Sequence, residues 1–113
     1  MTENTDTERL DTGLDAALGL RFVEATGDGV VAEIDITPDH HQPFGIVHGG
    51  LYCAMAESVA SVSGFLWLGE TGIGGTAVGV NNSTDFLKSV REGTIVARSV
   101  PVHRGKRQQL WQV

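Results

Sequence analysis

The sequence predicts an α+β domain in which an antiparallel sheet wraps around one long apolar helix. Three observations predict it. Residues 49–68 contain no proline and one Asp, Glu, Lys or Arg, Glu57, so they read as an uninterrupted helix. Runs rich in β-branched residues flank that stretch on both sides, separated by glycine-bearing turns. At 113 residues and 12.0 kDa, the chain has room for one small domain.

Taken in order, residues 1–12, MTENTDTERLDT, are polar and without period. They are expected to form a flexible or loosely docked arm ahead of a domain spanning 13–113. LRFVEATGDGVVAEIDITP (20–38) holds two strand-like runs around Gly27-Asp28-Gly29, where Asp-Gly signals a hairpin. In the second run Val30, Ala32, Ile34 and Ile36 share one face, and Pro38 ends the strand. DHHQPFGIVHGG (39–50) reads as a loop. The helix from Gly49 to Leu68 would span roughly 27 Å. It is apolar on nearly all sides, so it must be covered nearly all round. TAVGVNNSTDFLK (76–88), GTIVARSVPVHR (93–104) and KRQQLWQV (106–113) read as three further strands.

A net charge of −6 and a pI near 5.0 argue against generic nucleic-acid binding, which calls for a basic face. They leave room for an anionic small molecule held by a local basic cluster. The single Cys53 excludes an internal disulfide, suits a reducing compartment and reads as a small buried hydrophobe. The polar, acidic start has no signal-peptide pattern. Leu51–Leu68 has the length of a marginal membrane span, but it carries Glu57 and four Ser or Gly residues and reads as a buried helix. No membrane partner and a cytoplasmic location are therefore expected.

Glu57 is the odd residue of this segment, the only Asp, Glu, Lys or Arg between Asp39 and Glu70. A helix start behind Gly49-Gly50 presents backbone N–H groups and the positive end of the helix dipole. Such donors hold an anion, or a carbonyl oxygen that becomes negative under attack. Glu57 lies two turns further on, and Ser61 at i+4 shares its face. An oxyanion donor, a carboxylate and a hydroxyl that orients water suit acyl transfer to water. Each also has a plain structural reading: a solvent-facing Glu, a Gly-Gly turn, a small packing Ser. His40, His41 and His48 lack the spacing of a metal site, so no metal is expected.

Gln42, Pro43, Phe44, Gly45, His48, Gly49, Gly50, Glu57 and Ser61 together resemble the signature of hotdog-fold acyl-CoA thioesterases. The likeness is to the PaaI-like branch, which includes 4-hydroxybenzoyl-CoA and 1,4-dihydroxy-2-naphthoyl-CoA thioesterases, and it covers about residues 18–113. It implies the hotdog fold, the helix being the sausage and the sheet the bun. It further implies hydrolysis of an aroyl- or acyl-CoA to free acid and CoA, with no metal or redox cofactor. By this resemblance Glu57 acts as nucleophile or as general base on water. Gly49 gives its N–H to the thioester oxygen, Gln42 helps polarise that carbonyl, His48 orients the thioester and Ser61 positions water. Glu57 then faces Gly49 and Gln42 of a second subunit, in a homodimer that commonly pairs again.

His103, Arg104, Lys106 and Arg107 in the HRGKRQQ stretch resemble the family's CoA-binding residues; the alternative is a solvated strand turn. Asn81 and Asn82 are expected to border the acyl pocket or to be polar strand residues. After the Asn pair the sequence STDFLKSV departs from the family, which leaves the acyl group open. The chain ends within an apparent strand where relatives continue, so a sheet lacking its last strand, a C-terminally truncated domain, is expected. The alternative function is a non-catalytic acyl-CoA-binding hotdog protein.

Overall fold

The computed structural model describes Leu10 and residues 12–113. The arm expected at 1–12 lies, apart from Leu10 and Thr12, outside the described residues. A short helix missed by the sequence reading, α1 (Gly13–Leu18), opens the domain and ends at Gly19 in the left-handed region (φ 77°). Strands β1 (Arg21–Thr26) and β2 (Gly29–Asp35) form the expected hairpin, with a register shift between Phe22 and Glu24. A 3₁₀ turn, Pro38–His40, leads through the loop to α2 (Gly49–Glu70), and β3 (Thr94–Arg98), β4 (Val100–Arg104) and β5 (Gln109–Gln112) follow.

β1, β2 and β3 make one antiparallel sheet in that order, and β4 pairs with β5 in a second. The apolar face read from the sequence is the core. Val30, Ala32 and Ile34 are fully buried against Leu51, Met55, Val59 and Val62 of α2, and Ile36 packs half-buried at the edge. Burial of those aliphatic side chains is the main force holding helix to sheet.

Gly27 lets the β1–β2 turn approach the helix: a Cβ there would sit 2.7 Å from the Trp67 Cα. Its N–H donates to the Glu70 carboxylate at 2.8 Å, which fastens the hairpin tip to the far end of α2. At the hairpin's opposite end Arg21 pairs with Glu33 and Asp35. Its guanidinium, with the Thr94 hydroxyl, holds the Asp35 carboxyl below its ordinary value.

The 93–104 run, expected as one strand, is two, divided at Ser99. Pro101 has no N–H to extend a ladder, and the Ser99 side chain turns inward at the break. Its hydroxyl accepts from the Val30 N–H (2.8 Å) and bonds the Ser63 hydroxyl (2.7 Å), which donates to the Val59 carbonyl (2.7 Å). This buried chain ties both sheets to the helix with every polar atom used.

The strand expected at 76–88 does not form; the segment has no regular structure. Its β-branched residues have no sheet neighbour, and Val80 and Leu87 are 94% and 93% exposed. Strand propensity expresses fit to a paired, half-covered surface, and this segment has no ladder partner. The expected cover of the helix is correspondingly one-sided. α2 is long and apolar enough to cross a membrane, yet it packs on the sheet as a core helix with 33% of its most apolar window buried within the chain.

Candidate active site

The loop before α2 is held at both ends. His41 and Val47 form an isolated bridge, and the Val47 N–H donates to the Val90 carbonyl at 2.8 Å. Arg91 straps the turn from outside: its carbonyl accepts from the His41 ring (2.7 Å) and its guanidinium donates to the Gly45 carbonyl (3.2 Å). Inside this frame the Gln42 side-chain oxygen accepts from the Phe44 N–H, which leaves the carboxamide NH2 as the group available to a ligand.

His48 is the N-cap of α2. Its Nδ1 accepts from the Gly50 N–H at 2.7 Å, so the neutral ring carries its proton on Nε2. One orphan donor of the helix start is thereby satisfied. The Gly49 N–H has no acceptor among the described residues. It is a donor at the positive end of a 22-residue helix. His40, by contrast, is used structurally: it accepts from the Thr37 N–H and bonds the Leu18 carbonyl.

Glu57 projects from α2 into a cavity of about 1110 Å³ between the helix, β3, β5 and residues 79–88. Ser61 lines the same cavity, as do Asn81, Asn82, Tyr52 and Phe86. The Glu57 side chain lies against Gly79, where a Cβ would meet its Cγ at 3.2 Å. Asn82 acts as a staple: its Nδ2 donates to the Cys53 carbonyl at 2.9 Å, and its Oδ1 accepts from Thr84 at 2.6 Å. The Phe86 ring reaches Gly49, where a Cβ would lie 3.0 Å from it. Residues 79–86 thus run antiparallel to α2, from Glu57 past Cys53 to Gly49.

His48 and Gly49 stand at the helix start, Gln42 lies in the loop before it, and Glu57 and Ser61 follow two to three turns along the helix. Glu57 lies eight residue steps beyond Gly49, about 12 Å along the axis. The basic cluster lies elsewhere, on β4 and the turn after it. The Arg104 guanidinium donates to the Gly27 carbonyl (2.9 Å), pairs with Asp28 (3.0 Å) and sits 5.9 Å from the Trp67 ring centroid. His103 stands beside it on β4, and Lys106 and Arg107 are exposed in the turn with no ion pair among the described residues. The sequence reading passed over Phe86, Tyr52, Gly79 and Arg91. Only Gly79, a glycine inside a β-like run, carried a local signal of close approach.

An antiparallel sheet layer packed on one long central helix is the hotdog fold of solved thioesterases. The chain belongs to the thioesterase superfamily, whose family model matches residues 44–113, and it is a thioester hydrolase. It is 52% identical over 99 residues to a Mycobacterium tuberculosis protein provisionally named an esterase, covering 88% of this chain and 71% of that protein. The solved structure of that esterase superposes with a TM-score of 0.81 at 50% identity, over 86% of this chain and 77% of that one. An Escherichia coli 1,4-dihydroxy-2-naphthoyl-CoA hydrolase is 35% identical over 97 residues, 85% of this chain and 68% of the relative. A Haemophilus influenzae thioesterase matches with a TM-score of 0.84 at 29% identity, over 99% of this chain and 76% of that one.

Proposed function

We propose that this chain hydrolyses an aroyl- or acyl-CoA thioester to the free acid and CoA. The observation that carries the reading is the pairing of an unpartnered Gly49 N–H at a helix start with Glu57, a lone carboxylate aimed into a cavity. The thioester oxygen accepts from Gly49, aided by the Gln42 NH2, and its developing charge is held there by the helix dipole. His48 keeps the helix start in shape and offers Nε2–H to orient the thioester. Glu57 attacks the carbonyl, or takes a proton from a water that Ser61 positions. Neither route calls for a metal or redox cofactor.

A reacting carbon must lie about 3–3.5 Å from its nucleophile, far less than the rise between Gly49 and Glu57. A second copy therefore completes the site: Gly49 and Gln42 of one protomer face Glu57 and Ser61 of the other. The uncovered side of α2 supports that pairing. His103, Lys106 and Arg107 are proposed to meet the CoA phosphates, with Arg104 fixing the strand that carries them.

The test is thiol release from benzoyl-CoA and a medium-chain acyl-CoA, comparing the native chain with Glu57→Gln. A fall of about 10² or more in a variant that stays folded is expected, from the loss of a positioned base or nucleophile. Equal rates in the two proteins would sink the assignment of Glu57.

A further inference from the structure

Phe86 is 56% exposed, although its ring touches the helix start at Gly49. Its ring centroid stands 5.9 Å from that of Tyr52 at an interplanar angle of 38°, so the two rings form an open V. Both rings line the cavity that holds Glu57. The ring edge also borders Gly49, whose missing Cβ is the space it occupies. The ring packs on the same residue whose N–H is proposed to hold the thioester oxygen, so an acyl group bound there would lie beside Phe86. The ring is held there by the Asn82 staple four residues earlier, not by a sheet ladder.

We propose that Phe86, backed by Tyr52, is the specificity-determining residue for the acyl group, forming an aromatic wall that favours a flat aryl acyl group over an alkyl chain. The inference rests on the CoA-ester reading above and names the residue that sets its acyl preference. Aryl rings prefer offset or tilted stacking on such a wall, with centroids about 4.5–7 Å apart, and a flexible alkyl chain gains no such geometry. It also loses more conformational freedom on being ordered.

The experiment measures binding, so that it does not depend on turnover. S-phenacyl-CoA and S-(2-oxooctyl)-CoA are thioethers that no thioesterase cleaves; their affinities are measured by calorimetry for the native chain, Phe86→Leu and Phe86→Tyr. The native chain is expected to favour the aryl thioether, and Phe86→Leu to lose about 2- to 12-fold of that preference, the range an aromatic pair contributes. Phe86→Tyr keeps the preference, which separates loss of the ring from loss of fold. A preference unchanged in Phe86→Leu, or absent from the native chain, overturns the assignment. If the native chain binds neither thioether, this inference falls together with the CoA-ester reading. If the preference behaves as expected while no thiol is released from benzoyl-CoA, the hydrolytic reading fails and the aromatic wall stands.

Discussion

Glu57 and His48 stand at different points of α2, one two turns along it and one at its N-cap. Glu57 stood out in the sequence because a lone charge in an apolar run needs a reason, and the structure supplies a cavity for it. His48 stood out less, and its ring caps the helix through Nδ1. Replacing it by Ala removes the cap, and a loss of about 0.5–2 kcal/mol in urea unfolding is expected. His48→Asn restores a capping oxygen and should recover most of that stability without recovering the imidazole. Equal stability of native and Ala forms would show that the cap contributes nothing.

Among the elements, the helix and the hairpin were readable from periodicity and turn chemistry, because both are built from contacts between near neighbours. The split of the 93–104 run was not read from the sequence, although Pro101 hinted at it. What fixes the break is Ser99, which bonds Val30 and Ser63, residues 69 and 36 positions away. Ser99→Ala leaves the buried Val30 N–H without its acceptor. It should cost about 1–3 kcal/mol by denaturant titration with little change in m-value. A cost near zero would mean that the sheets are joined by apolar packing alone. The 76–88 segment is the reverse case: its composition says strand, and without a ladder partner it lies irregular along α2.

As a whole molecule the chain is a slab of 46 × 32 × 18 Å, a sheet layer and one helix layer. The one sheet layer covers one side of α2, and Glu57, Val80 and Leu87 are left open. The reading of a site shared between two copies makes activity depend on assembly. Size exclusion with light scattering should give a dimer or a multiple of it, and specific activity should fall on dilution through the dissociation range. A monomer of full specific activity would refute the shared site.

The sequence by itself determined the α+β class, the apolar helix with its one carboxylate, the Gly-Gly start and the hairpin face that became the core. These follow from residue type and spacing, because a helix face, a cap and a tight turn are set within a few residues. Only the tertiary structure decided that Arg104 clamps the hairpin tip, that Asn82 staples the 79–86 segment to α2, and that Phe86 stands at Gly49. Those contacts join residues from 29 to 77 positions apart. No local pattern specifies them, since they arise from where packing leaves each segment once the core has closed.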